Sequence, residues 1–283
     1  MAVTAALVIL ACGMGVVVIS RGLDLSLVAA MVAGAATFGI LIGGGLPGFA
    51  ALGLAVLAMV LVGLMNGWLI AYAEIPAMLA TLATAMVITG TFRFGLLQGE
   101  FLLLWPATDP AVRPLSADLV PGLRVPVVLA VLITWAVLKY STPGRVTYAM
   151  GDNFVAARLS GLPARTTTLM IYVFAALTAL VAGLISAAAS GTVDFRAVTS
   201  GSLLFEVILV IVLGGIPLRG GRGGVRNILV GLALVAVLRN GITLMNLSTQ
   251  TQDMLKGLVL ILAIVTDNYL NPRDTETDTV GDL

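Results

Sequence analysis

Long apolar runs alternate with short polar connections along nearly the whole chain. A helix that crosses a membrane needs about 20 mostly apolar residues, and the sequence contains about nine such runs. They are Val3–Ile19, Leu25–Ile42, Phe49–Tyr72, Met78–Phe94, Val125–Tyr140, Thr167–Ala189, Leu203–Gly215, Ile228–Met245 and Leu255–Tyr269. The seventh run is short, which favours a broken or steeply placed helix. The pattern predicts an all-α polytopic membrane domain over residues 1–270.

Composition supports a membrane location and excludes several kinds of chemistry. Of the 283 residues, 59% are hydrophobic and 10% are charged, whereas about 25% are charged in an ordinary soluble domain. Histidine is absent, which removes histidine-based catalysis and metal binding. The single Cys12 lies in an apolar run. The net charge of +1 does not indicate a surface that binds nucleic acid. We expect an integral membrane protein without a catalytic or metal site.

The distribution of basic residues predicts an orientation. Residues 139–165 and 216–226 hold seven of the fifteen Lys and Arg, and short basic loops face the cytoplasm. Two predicted helices separate these loops, so both can lie on the cytoplasmic side. The C-terminus is then cytoplasmic, and residues 93–124 form an extracytoplasmic cap. The acidic segment 271–283 is expected to be a solvated, disordered tail.

Residues 141–166 are punctuated like a short helix between two turns. Ser141–Gly144 forms a turn that ends the preceding span, and Asp152 or Asn153 can cap the next helix. Two helical turns then follow in Phe154–Leu159, before Gly161 and Pro163 end the helix. Such a short helix is unstable alone in water. It is either a connector resting on lipid headgroups or a docking element for a soluble partner.

Three separated motifs resemble permease subunits of ribose-type ABC importers. The first is GRVTYAMGDNFVAARLSG, which is similar to the cytoplasmic loop of that family through Gly144, Arg145, Ala149, Gly151, Asn153, Ala156, Ala157 and Gly161. The others are GMGVVVISRGLDLSL, beginning at Gly13, and VLGGIPLRGGRGGVRNILVG, beginning at Val212. Their order matches the family over nearly the whole chain.

The resemblance implies the transmembrane subunit of an ATP-driven importer in the bacterial inner membrane. The cargo would be a monosaccharide similar to ribose, another pentose or a hexose, or a related polyol. ATP and Mg²⁺ would bind to a cytoplasmic partner subunit, and this chain would bind no cofactor. A second permease copy or paralogue and an extracytoplasmic sugar-binding protein would complete the system. Family members generally have ten helices, so we expect the first to be missing here.

The same resemblance implies a coupling helix that contacts the ATP-binding subunit. The residues assigned to it are Gly151, Asp152, Asn153, Ala156, Ala157, Arg158, Leu159 and Gly161. The glycine-rich segment 214–224 lacks the G-x-x-x-x-G-K-[ST] pattern of phosphate-binding loops. We therefore predict a tight turn there, with its arginines at anionic lipid headgroups.

Polar residues within or beside the spans are candidates for the substrate path. They are Asp24, Ser26, Asn66, Glu206 and Asn240. Asp24 lies either in an interface loop or at a helix break on the path. Glu206 either pairs with Arg239 or lines the path, and the asparagines either join helices or bind cargo.

Two other functions remain open from the sequence. An ion-coupled secondary carrier for a small polar solute would use Asp24 or Glu206 as its ion site. A membrane scaffold that transports nothing would show no ligand-dependent change in the activity of an ATPase partner.

Overall fold

The computed structural model describes residues 2–106, 120–245 and 247–270. Over this part of the chain the fold is almost entirely helical, and each of the apolar runs predicted above contains a helix. The helices are α1 Ala2–Ile19, α2 Leu27–Gly43, α3 Gly48–Ala71, α4 Ala77–Gly90, α5 Val120–Tyr140, α6 Thr142–Asp152, α7 Phe154–Leu159, α8 Ala164–Ser190, α9 Arg196–Ser200, α10 Ser202–Leu213, α11 Val225–Leu244 and α12 Thr249–Leu270.

Three short elements other than α-helices were not predicted. A π-helical segment, Thr91–Leu96, continues α4, and strand β1, Leu102–Leu104, pairs antiparallel with β2, Thr192–Asp194. Three-residue strands are too short to show the alternation by which a strand is recognised in a sequence. This small sheet lies in the predicted cap, of which residues 107–119 fall outside the described chain, as does the predicted tail 271–283.

Four described helical segments are long and apolar enough to cross a membrane. They are Gly48–Ala71, Ala77–Leu96, Ala164–Ser190 and Val225–Leu244. Residues 125–152 would supply a fifth crossing if helices α5 and α6, which meet at a bend of 73°, form one broken span. Helices α1, α2 and α10 are apolar but shorter than this test requires. The polytopic all-α class is therefore established, and the number nine is not.

Helix α8 forms the centre of the bundle. In its most apolar stretch 67% of the residues are buried, against 22–28% in the other three candidate spans. Helices α1, α2 and α3 pack around it. Its buried face is rich in small residues such as Ala175, Ala179 and Gly183, which let helix backbones approach closely in lipid.

Several connecting loops meet at one end of the molecule. The Gly221 N–H donates to the Ile19 carbonyl at 2.8 Å, and Arg158 and Arg165 each reach the Glu74 carboxylate at 3.5 Å. We call this region, made of residues 20–26, 72–76, 139–163 and 216–226, the basic end. It confirms that the two basic loops lie on the same side. The β1–β2 sheet and the adjoining residues form the opposite end.

The first prediction concerns the packing of α3 against α8. A Cβ atom added at Gly63 would lie 2.5 Å from the Val173 Cα atom, whereas at Gly53 it would meet nothing within 4 Å. Gly63→Ala should therefore destabilise the fold by about 1–3 kcal/mol through overpacking. Thermal unfolding in detergent measures this, with Gly53→Ala in the same helix as the control. Equal midpoints for the two variants would contradict the packing described here.

Candidate coupling surface and polar clusters

Helix α7 is capped by hydrogen bonds at both its N-terminus and its C-terminus. The Asn153 side-chain oxygen accepts the Ala156 N–H at 2.9 Å, so Asn153, and not Asp152, is its N-cap. At the other end Leu162 donates to the Ala157 carbonyl and Gly161 to that of Arg158. Gly161 has φ +74°, as the left-handed position of this C-terminal motif requires. The predicted boundaries of the helix are confirmed.

The surface of α7 is unusually apolar for an exposed helix outside the bundle. Phe154 and Val155 are 38% and 43% exposed, and Leu159 is 84% exposed. Ala157 points inward and belongs to a small buried cluster with Val146, Met150 and Ala164. One face thus fastens the helix, and the others present apolar side chains at the basic end. Apolar residues grouped on a surface in this way mark a contact with lipid or with another protein.

A close backbone junction lies behind α7. Gly151, near the end of α6, packs against the Ile19 carbonyl at the end of α1 and against the Gly221 backbone. The Tyr148 hydroxyl donates to the Gly223 carbonyl at 2.9 Å. The three sequence motifs therefore converge in space. Helix α6 was not predicted, because the turn residues at its start conceal that the chain becomes helical again.

An exposed ion pair fastens α7 from the other side. Glu74, in the loop between α3 and α4, lies 3.5 Å from both Arg158 and Arg165. The Arg165 guanidinium also lies over the Tyr72 ring, 5.3 Å from its centroid. Exposed pairs of this geometry contribute little stability. Their effect is to orient α7 relative to the α3–α4 loop, a contact the sequence did not reveal because 84 residues separate Glu74 from Arg158.

The break between α1 and α2 holds a buried polar cluster. The Ser26 N–H and hydroxyl both donate to the Asp24 carboxylate, at 2.9 and 2.6 Å. Asn66 of α3 donates to the Ser26 hydroxyl at 2.8 Å, which confirms an interhelical bond for this asparagine. All three residues are at most 2% exposed. Among the described residues no ion pair joins Asp24 to Arg21.

Two residues that sequence reasoning missed complete this cluster. Thr81 of α4 accepts the Leu25 N–H at 3.0 Å, and the buried Tyr172 hydroxyl of α8 approaches the linker at Gly22. Neither could be recognised, since threonine and tyrosine are ordinary residues of apolar helices. The cluster joins the linker to α3, α4 and α8 at the basic end. Its part in a substrate path stays a prediction.

A second polar cluster lies nearer the opposite end. Glu206 of α10 is buried; Lys256 Nζ lies 2.8 Å and Arg239 Nη1 3.8 Å from its carboxylate. The predicted pairing with Arg239 is confirmed, but Lys256, which also pairs with Asp253 at 3.5 Å, was missed. Asn240 is exposed on α11. The predicted path residues therefore form two groups, one near each end of the bundle.

Comparison with known proteins identifies the family. A family model described as "Branched-chain amino acid transport system / permease component" matches residues 1–264. The chain belongs to this family. It is therefore a membrane transport subunit and not an enzyme, and in the ABC systems of its relatives a separate subunit hydrolyses ATP. No solved structure matches the chain.

Curated relatives share the predicted subunit type. The ribose import permease protein of Bacillus subtilis is 31% identical over 92% of this chain and 80% of its own length. The L-arabinose transport system permease protein of Escherichia coli is 32% identical over 72% of this chain and 61% of its own. A probable ABC transporter permease protein of Sinorhizobium fredii is 29% identical over 95% of this chain and 80% of its own.

The second prediction tests the structural role of the Glu206 cluster. Lys256→Met leaves the buried Glu206 carboxylate with only the more distant Arg239. Removing one partner of a buried pair is strongly destabilising, and the partial exposure of Lys256 reduces the loss to about 1–3 kcal/mol. Thermal unfolding in detergent should show this loss of stability. Adding Glu206→Gln to the variant should restore part of it.

Asp253→Asn provides the control, because Asp253 is half exposed and contacts the same lysine. If Lys256→Met unfolded no earlier than Asp253→Asn, the cluster would not stabilise the fold.

Proposed function

We propose that the chain is the permease subunit of an ABC importer for a monosaccharide of the pentose type. The named cargoes of two relatives, ribose and arabinose, support this class. The observation that carries the proposal is the capped α7, which is fastened on one face and exposes apolar side chains on the others. This is the arrangement expected of a contact with a separate ATP-binding subunit.

The basic end would face the cytoplasm, since it collects the basic loops that the positive-inside rule assigns there. The nine apolar runs predicted from the sequence would then cross the membrane, with the β1–β2 sheet outside and the C-terminus inside. The ATP-binding subunit, carrying ATP and Mg²⁺, would dock at the basic end. A sugar-binding protein would deliver its ligand to the opposite end, and a second permease copy or paralogue would enclose the path.

A displacement of α7 would be transmitted to the bundle through two connections. One runs directly into α8, because only Ser160–Pro163 separates the two helices. The other runs through α6, whose Gly151 touches the end of α1 and the glycine-rich loop. Backbone-to-backbone contact leaves no flexible side chain to absorb a displacement. A shift of the coupling helix would therefore reach α1 and the α1–α2 break as well as α8.

Both polar clusters are suited to line the path. Asp24, Ser26 and Asn66 offer a carboxylate, a hydroxyl and an amide, the groups that hydrogen-bond to sugar hydroxyls. Glu206 and Asn240 offer similar groups nearer the opposite end. A tilt of α1 and α8 would change the surroundings of the first group, and a movement of α10 would change those of the second.

The third prediction tests the docking contact. Leu159→Asp should abolish co-purification of a co-expressed ATP-binding subunit, because a charge would replace an exposed apolar contact. Folding should be unaffected, since Leu159 is 84% exposed. Leu104→Asp, at a residue 80% exposed at the opposite end, is the matched control. Normal binding by the Leu159 variant would exclude α7 as the docking element.

The fourth prediction concerns cargo and energy source. The complex with its ATP-binding subunit, reconstituted in vesicles with its binding protein, should take up labelled D-ribose or L-arabinose only when ATP is supplied. Proton and sodium ionophores should leave uptake unchanged. Uptake that collapsed with an ionophore and persisted without ATP would instead establish the ion-coupled carrier. If neither sugar were taken up with ATP, ribose and arabinose would be excluded as cargo.

A further inference from the structure

An open cavity of about 440 Å³ lies at the basic end, where α5 finishes and α11 begins. Its volume falls within the range of about 300–1,000 Å³ typical of small-molecule sites. Trp135 and Lys139 of α5, Tyr148 of α6, and Arg226 and Asn227 of α11 contribute to its wall. It is separate from both polar clusters and from the exposed face of α7.

The charges that line the cavity favour a negatively charged ligand. It contains the Lys139 ammonium and the Arg226 guanidinium, and none of the described residues that line it carries a carboxylate. The Lys139 amine lies 5.0 Å from the Trp135 ring centroid and 5.3 Å from that of Tyr140. These contacts hold the cation close to the end of the span. Tryptophan and tyrosine prefer the headgroup level of a membrane, so the cavity lies at that level.

Apolar surface continues from the cavity toward the membrane interior. On α5, Leu132 lies one turn and Val128 two turns before Trp135 on the same face, and both are more than half exposed. On α11, Val230 lies one turn after Asn227 and is 55% exposed. An occupant with a charged head and an apolar tail would satisfy both parts of this surface. A free phosphate would satisfy only the first.

We propose that this cavity binds the headgroup of an anionic phospholipid, with its acyl chains lying along the exposed faces of α5 and α11. Basic pockets between helices on the cytoplasmic side of a membrane recognise such headgroups. Tyr148 belongs to the wall and also bonds to Gly223 of the glycine-rich loop. A bound lipid therefore bridges α5, α6 and α11 beside the junction behind the coupling helix.

The experiment uses the full chain purified in detergent, with phosphatidylglycerol as the probe and phosphatidylcholine for comparison. Native mass spectrometry should detect retained phosphatidylglycerol, and the thermal midpoint should rise with phosphatidylglycerol more than with phosphatidylcholine. The variant Lys139→Gln/Arg226→Gln should lower the affinity for phosphatidylglycerol about tenfold. Lys139→Arg/Arg226→Lys should retain it, which separates lost charge from lost folding.

Arg196→Gln is the matched control, because Arg196 is an exposed cation at the opposite end; it should bind the lipid like the unaltered chain. Equal effects of both lipids, or unchanged affinity in the double Gln variant, would overturn the proposal. The same stabilisation by inorganic phosphate alone would assign the site to a free anion instead. A cavity covered by a second copy of the chain, with no response to lipid, would also overturn it.

Discussion

A backbone contact between three distant segments organises the basic end of this protein. The Gly221 N–H donates to the carbonyl at the end of α1, and Gly151 of α6 packs against both. A side chain at position 151 would overlap backbone atoms that cannot rotate away. The contact therefore requires glycine, and it holds the glycine-rich loop, helix α6 and the first helix as one unit.

The exposed helix α7 and the buried bundle meet at this unit. Helix α7 is too short to be stable alone, so its caps, its buried Ala157 and the ion pairs with Glu74 together keep it in place. Helix α8, which begins just after α7, is the most buried of the candidate spans and touches α1, α2 and α3. The exposed surface of α7 thus lies next to α8, the helix that packs against α1, α2 and α3.

The polar clusters show how an apolar chain accommodates charge. Asp24 is satisfied by hydrogen bonds from Ser26, and Glu206 by two cations from other helices. Buried acidic groups are tolerated in a membrane protein when they are hydrogen-bonded, as Asp24 is, or paired with an opposite charge, as Glu206 is. Each cluster also joins several helices, so the same residues hold parts of the bundle together.

The sequence by itself determined the class of protein, the positions of the apolar helices and the boundaries of α7. These follow from local properties: apolar length, capping residues and motifs whose residues lie close together in the chain. Only the tertiary structure decided that Lys256 would join Glu206, that Tyr172 and Thr81 would surround the α1–α2 break, and that Glu74 would reach Arg158. Such contacts depend on how helices pack, and in lipid that packing is directed by small residues and shape rather than by a hydrophobic pattern that can be read along the chain.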